Sequence, residues 1–88
     1  MSIHTSHPDI IKRLKRASGH LTKVVSMLES GSECVDVAQQ LQAVESAITS
    51  AKKSFIRDHI DHCLEHAREN DEGAEDAVNE FKEITKYL

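Results

Sequence analysis

The stretch VAQQLQAVESAITSAKKSF, residues 37–55, decides the fold. Its apolar residues recur at alternating intervals of four and three, as Val37, Leu41, Val44, Ile48, Ala51 and Phe55. This spacing is typical of one face of an amphipathic helix. Because residues 32–72 contain neither Gly nor Pro, the pattern predicts a helix from about Glu33 to Asn70, roughly 38 residues long against an average of about 11–12. Such a helix is too long for its short neighbours to cover, so we expect it to pack against a second chain.

Two shorter helices flank this long one. Apolar residues from Ile10 to Leu28 repeat with the same spacing, and Gly31 is placed to end that helix in the left-handed conformation. Residues 1–6 are expected to form a flexible tail. After a break at residues 70–73, a short third helix is predicted from a single apolar stripe of Ala77, Phe81, Ile84 and Leu88. The sequence therefore predicts an all-α, three-helix protomer with one very long helix, in a single domain over residues 1–88.

Composition excludes several classes of protein. The chain of 88 residues has no Trp, one Tyr, two Phe and three Gly, as expected for a small helical domain. No apolar run approaches the ~20 residues of a membrane span, and no signal peptide is evident, so we expect a cytoplasmic protein without a membrane partner. No nucleophile with a base and an orienting group is apparent, nor is a Gly-rich phosphate loop, so an enzyme is not expected.

Charge is distributed unevenly along the chain. The formal net charge is −4, yet residues 1–30 carry five Lys or Arg against two acids, and residues 58–88 carry three against ten. Lys and Arg can contact the phosphates of DNA, although charge alone favours a solvated face equally. The candidates for DNA contact are Lys12, Arg13, Lys15 and Arg16 on the first helix and Lys52 and Lys53 on the second.

The two cysteines and the histidines suggest a metal site. His59 and Cys63 are four residues apart, so they share one face of the long helix, and imidazole with thiolate suits a soft or borderline metal. Cys34 precedes His59 by 25 residues, a separation of about 37 Å along one helix. Either Cys34 is unrelated to this pair, for example as a small apolar residue of the seam, or it completes the site on an antiparallel second subunit.

Further histidines lie near this pair or at the chain start. His62 falls on the same face of the helix as His59, while His4 and His7 are assigned to the N-terminal tail, which could fold over a site. All three are additional candidate ligands, and a solvated surface histidine is the alternative for each. A carboxylate is expected to hold the second ring nitrogen of His59, with Glu80 on the third helix as the candidate.

Several motifs together resemble one family of proteins. Residues 13–20, RLKRASGH, resemble the R-x-x-R-x-x-G-Q stretch of the CsoR/RcnR/FrmR repressors, and Cys34 follows Gly19 at the family's interval. Residues 39–44, QQLQAV, resemble the family's Q-Q-I-x-A-V segment, and residues 59–63, HIDHC, resemble the H-L-x-H-C of its copper-sensing branch. The resemblance covers nearly the whole chain at unbroken spacing.

This resemblance implies a metal-responsive transcriptional repressor that binds operator DNA until its effector arrives. It implies an antiparallel dimer forming a four-helix bundle, and a dimer of such dimers. It also implies that Cys34 of one protomer and His59 and Cys63 of its partner bind the metal. Glu33 stands where copper sensors often place a Tyr that supports the site, Ser2 where nickel/cobalt sensors place a His, and Glu45 where some members carry a basic DNA contact.

The candidate ligands are compatible with more than one effector. Two thiolates and one imidazole suit trigonal Cu(I), whereas an added amine or tail histidine would suit Ni(II) or Co(II), and Zn(II) would accept the same ligands in vitro. Two other functions are alternatives. One is a metal-buffering helical bundle that never binds DNA, and the other is a formaldehyde or thiol-reactive sensor that uses Cys34.

Overall fold

The protein folds into three α-helices. The computed structural model describes the backbone of residues 7–69 and 74–88, together with all their side chains except those of residues 63, 66–69 and 74. Helix α1 spans His7–Glu29, α2 spans Cys34–Glu69 and α3 spans Ala74–Thr85. The prediction of an all-α chain with one very long helix is confirmed, since α2 has 36 residues. The expected tail and the break at residues 70–73 lie outside the described residues.

Helix α1 ends at a glycine cap. Gly31 has φ +77°, a conformation that costs side-chain-bearing residues energy and glycine little. The Ser32 amide donates to the Met27 carbonyl at 2.9 Å, and the Gly31 amide donates to the Leu28 carbonyl at 3.2 Å. These two bonds form a Schellman motif, which satisfies carbonyls at the helix end that lack an intrahelical partner. The predicted role of Gly31 is confirmed.

The first of two compact units is the stretch Pro8–Lys52, which contains most of α1 and the first half of α2. Its buried apolar residues are spaced by seven on each helix: Ile10, Ala17 and Val24 on α1, and Val37, Val44 and Ala51 on α2. Val24, Val37 and Val44 form the core cluster, with Met27 packed against it. Spacing by seven is the seam geometry of helices packed side by side.

The other half of each predicted seam is exposed in this unit. Leu14, Leu21, Leu41 and Ile48 each retain 43–44% of their accessible surface, and Leu28 retains 60%. They too are spaced by seven on their helices. Apolar residues repeating in this way typically mark a surface that another protein covers. We name these five residues the apolar face.

The second unit comprises His7 and the stretch Lys53–Leu88. Among the side chains described in this unit, those of Ile56 and Ala77 are buried, whereas Phe55, the last residue of the predicted seam, remains 37% exposed. On α2 the next buried residue after Ala51 is Ile56, five positions later, which the four-and-three spacing did not predict. Helix α3 ends at Thr85, and turn hydrogen bonds follow it, so Leu88 lies beyond the helix that it was expected to extend.

His7 is the first residue of α1, so its assignment to the tail is wrong. Pro8 lies at the second helical position, as proline fits the first turn of a helix, where its missing N–H is not needed. A single domain over residues 1–88 stays a prediction. Within the described ranges 7–69 and 74–88, no helix combines the length and apolarity needed to span a membrane.

Candidate functional site

His59 lies on α2 with its ring mostly buried. Its side chain keeps 18% of its accessible surface, and its Nε2 atom lies 3.4 Å from Glu80 Oε1 on α3. The structure therefore brings together the two residues that the sequence analysis paired. A carboxylate on one ring nitrogen orients the imidazole and leaves the other nitrogen, Nδ1, as the potential donor to an ion.

A second histidine lies in the same unit. His7 Nε2 is 3.8 Å from Asp58 Oδ2, and the His7 ring stacks on Phe55, with ring centroids 5.5 Å apart and planes at 24°. Phe55 also stacks with His59, at 6.4 Å and 25°. Sequence reasoning missed Asp58 and Phe55. The four-residue spacing of Phe55 and His59 could have indicated their contact, but no local signal connects either residue to His7.

The two cysteines stand at different places on α2. Cys34 is the first residue of the helix and carries an exposed free thiol, so it is not a buried apolar residue of the seam within this chain. Cys63 belongs to the same helix, but its side chain lies outside the described residues. In the part of the chain that the structure describes, no three His, Cys, Asp or Glu side chains meet in a group that could hold a metal.

The remaining candidate ligands are dispersed. His62 is half-buried on α2, and His4 lies outside the described residues. Glu33 is exposed immediately before α2, and its backbone carbonyl accepts the Val37 amide at 3.1 Å. Glu33 directly precedes Cys34 in the sequence, at the position where the family resemblance implies a residue that supports the metal site.

A basic recess lies on the first unit. Arg13, Arg16, Ala17, Ala47 and Ser50 line an open pocket of about 170 Å³. Arg13 Nη2 donates a hydrogen bond of 2.7 Å to Ser50 Oγ, and its Nη1 lies 3.9 Å from Asp9 Oδ2. Small residues on both helices leave room beside the two guanidinium groups, which are the side chains best suited to phosphate. Neither Ser50 nor Asp9 was identified from the sequence.

The other basic candidates are solvent-accessible. Lys12, Lys15, Lys52 and Lys53 are exposed, as is Arg16, and all are therefore available to a charged partner. His20, at the position of the family's Gln, is half-buried, and its Nε2 donates to Gln40 Oε1 at 2.6 Å. This bond joins α1 to α2 within the first unit, so His20 contributes to the packing of the two helices there.

Comparison with known proteins decides the family. Residues 6–87 match the family model described as metal-sensitive transcriptional repressor. The chain belongs to this family. It is 35% identical over 81 residues to the copper-sensing transcriptional repressor CsoR of Bacillus subtilis, a match covering 88% of this chain and 79% of that protein. The predicted relationship to the CsoR/RcnR/FrmR repressors is thus confirmed, and so is the expectation that the chain is not an enzyme.

Other relatives differ in length and in the metal they sense. The chain is 36% identical over 77 residues to the copper-sensing repressor CsoR of Mycobacterium ulcerans, and the match spans 88% of this chain but 65% of that relative. Among solved structures, the nickel-responsive transcriptional regulator InrS matches with a TM-score of 0.83 and 25% identity, over 99% of this chain and 97% of the other. Both copper and nickel sensors therefore share this fold.

Proposed function

We propose that this family member represses transcription by binding operator DNA in its metal-free state and that it releases the DNA when Cu(I) binds. The ligands are Cys34 of one protomer and His59 and Cys63 of its partner. The observation that carries the proposal is the exposed Cys34 thiol at the start of the same unbroken helix that holds His59 against Glu80. An exposed thiol can approach a site on another subunit, as the 25-residue separation requires.

The chemistry of these donors fits a soft metal ion. A bound ion would supply charge and fixed ligand directions that draw two helices together. Glu80 holds His59 Nε2, so we assign Nδ1 to the ion. Ni(II) and Co(II) are the next candidate effectors after Cu(I), because they require a fourth ligand such as His4, His7 or His62. Zn(II) is expected to bind the same site in vitro. Glu33 is proposed to support Cys34.

The apolar face supports a dimer. Its five residues repeat at the spacing of a coiled-coil seam and are too exposed to be covered by their own chain. We propose an antiparallel dimer that buries them in a four-helix bundle, and a dimer of dimers built from two such bundles, acting in the cytoplasm. The isologous symmetry of a dimer would bring Cys34 of each protomer to the His59 end of the other.

The basic recess supports operator binding. Arg13 and Arg16 border a space lined otherwise by small side chains, and the surrounding Lys12, Lys15, Lys52 and Lys53 extend the positive surface. Contacts of this kind bind phosphates and dominate the affinity for DNA. A metal buffer would have no use for such a recess, so we favour the repressor over the buffering alternative.

The test is an operator titration under anaerobic conditions. DNA from the protein's own promoter region is titrated with metal-free protein, and again after loading with Cu(I), Ni(II) or Zn(II). We expect affinity to fall about 5- to 150-fold with the true effector, the usual range for such coupling. Salt-independent or absent DNA binding would support the buffering bundle instead.

The exposed Cys34 thiol favours a second candidate, the electrophile sensor. Release of DNA by formaldehyde or a reactive sulfur donor, with a matching mass increase and no response to metal, would support it. A Cys34→Ser protein serves as the control, since it should lose both the mass increase and the release.

A further inference from the structure

His7 is held by two neighbouring residues of α2. Its ring packs against Phe55 with centroids 5.5 Å apart, and its Nε2 atom faces Asp58 Oδ2 at 3.8 Å. Stacking and a carboxylate contact therefore act on the same ring from two residues one turn apart on the helix. The first residue of α1 is therefore fixed against α2 by side-chain contacts in addition to its place in the helix.

Phe55 continues this contact to His59. The two rings are four residues apart on α2, and their centroids lie 6.4 Å apart at an interplanar angle of 25°. Both aromatic contacts fall in the range of about 4.5–7 Å in which ring pairs attract each other. His7, Phe55 and His59 thus form a connected set of rings, which we name the ring stack, and its His59 end is in turn held by Glu80.

The ring stack connects two proposed functions. His59 is a proposed metal ligand, and any rotation of its imidazole to accept an ion changes its contact with Phe55. His7 shares the Phe55 ring and begins α1, and the same unbroken helix carries Arg13 six residues later, a rise of about 9 Å. A displacement at His7 therefore acts on the start of the helix that carries the proposed DNA contacts.

We propose that His7 is a positioning residue that couples His59 to helix α1 through Phe55, and that it does not itself bind Cu(I). This inference rests on the proposed function. The direction of the His7 nitrogen supports the second half of the proposal, since Nε2 faces Asp58 and the ring face is covered by Phe55. Packed contacts of this kind can carry coupling when both sites bias the same element.

Two substitutions separate a stacking role from a ligand role. His7→Phe keeps a flat ring for the stack and removes both nitrogens, whereas His7→Ala removes the ring. We define the affinity ratio as the operator affinity of the metal-free protein divided by that of the Cu(I)-loaded protein. We expect His7→Ala to reduce this ratio by about 2- to 12-fold, which corresponds to the free energy of one lost aromatic pair. We expect His7→Phe to keep the wild-type ratio and both proteins to keep wild-type Cu(I) affinity.

A double-mutant cycle tests whether Phe55 lies between the two histidines. In a Phe55→Leu background, His7→Ala should have no further effect on the affinity ratio, because the intermediate ring is already absent. Ser18→Ala is the matched control, since Ser18 is an exposed residue of the same helix and should leave the ratio unchanged. If His7→Ala fails to fold, His7→Leu replaces it, because leucine fills space without a flat ring.

Each outcome decides between the possibilities. A large loss of Cu(I) affinity in His7→Phe makes His7 a ligand and overturns the inference, as does an unchanged ratio in His7→Ala. Additive effects of His7→Ala and Phe55→Leu also overturn it. If wild-type protein binds operator DNA but does not release it with any metal, the proposed function fails first, and the inference fails with it.

Discussion

The two compact units of this chain use their apolar and polar residues in opposite ways. In the hairpin unit, Pro8–Lys52, small buried residues repeat every seven positions and leave larger ones such as Leu41 exposed at the same interval. In the other unit, the repeat breaks at Ile56, and rings and carboxylates make specific contacts around His59. A regular repeat is typical of a surface that packs against other helices, whereas irregular polar contacts are typical of a binding site, because ligands must be held individually.

The largest expected effect concerns the metal site. Cys34→Ala and Cys63→Ala should each abolish high-affinity Cu(I) binding, because each removes one thiolate from every site. Mixing the two proteins and refolding them together should restore about a quarter of the wild-type capacity, since half of the dimers are mixed and each mixed dimer has one intact site. Competition with a Cu(I) chelator measures the capacity.

Two controls accompany this mixing experiment. Mixing Cys34→Ala with His59→Ala should restore the same fraction, because His59 and Cys63 belong to the same half of the site. Mixing Cys63→Ala with His59→Ala should restore none. Recovery in that last mixture would show that His59 and Cys63 come from different protomers, whereas a lack of recovery in every mixture would place all three ligands within one chain.

The next effect concerns the hairpin unit and its association. Ile48→Glu puts a carboxylate in the middle of the apolar face and should raise the dimer dissociation constant by about 100-fold or more, because an unpaired buried charge costs roughly 3 kcal/mol or more. Analytical ultracentrifugation over a range of concentrations gives the constant. Val35→Glu is the matched control on the same helix, since Val35 is 66% exposed and lies off the seam. Equal behaviour of the two variants would show that the apolar face is not the interface.

A smaller effect is expected at the basic recess. Arg13→Ala should weaken operator binding about tenfold and lower the salt slope by about one unit, as expected for one lost phosphate contact. Ser50→Ala should weaken binding less, because Arg13 keeps its charge but loses the hydrogen bond that orients it. Asp9→Asn should strengthen binding, because it removes a carboxylate that competes for the same guanidinium. Fluorescence anisotropy at several salt concentrations measures all three.

The direction in which each substitution changes operator affinity shows whether Asp9 competes with DNA for Arg13 or orients it. Asp9→Asn and Arg13→Ala should change operator affinity in opposite directions if Asp9 competes with phosphate for the Arg13 guanidinium. If Asp9→Asn weakens binding instead, Asp9 orients Arg13 rather than competing for it. The affinity for Cu(I), measured without DNA, should stay unchanged in all three variants, because none of the three substituted residues contacts the ring stack.

The smallest effect separates two glycines of the hairpin unit. Gly31→Ala should destabilise the fold by about 1 kcal/mol, because alanine is strained at φ +77° even though its Cβ would meet no atom within 4 Å. Gly19 lies inside α1 with equally open space around it, so Gly19→Ala should stabilise the fold by about 0.5–1 kcal/mol. Urea denaturation at one protein concentration compares them. Destabilisation by Gly19→Ala would indicate that a partner chain approaches the helix at that position.

The helices and the family could be predicted from the sequence by itself. The absence of Gly and Pro over residues 32–72 predicted α2 to within one residue at each end, and Gly31 marked the end of α1. Even the pairing of His59 with Glu80 was anticipated as a candidate. The helices and the glycine cap are local features: helix propensity, capping and i to i+4 spacing act among residues close in the chain, so they can be read from the sequence.

Only the tertiary structure decided which residues of each predicted seam are covered and which remain exposed. The periodicity treats Val44 and Ile48 alike, because both lie on the apolar side of α2, yet only Val44 is buried within the chain. The contacts of His7 with Phe55 and of Arg13 with Ser50 join residues 48 and 37 positions apart in the sequence. The register with which α1 packs on α2 determines such pairs, and register is set by the fit of whole helix surfaces rather than by any local pattern.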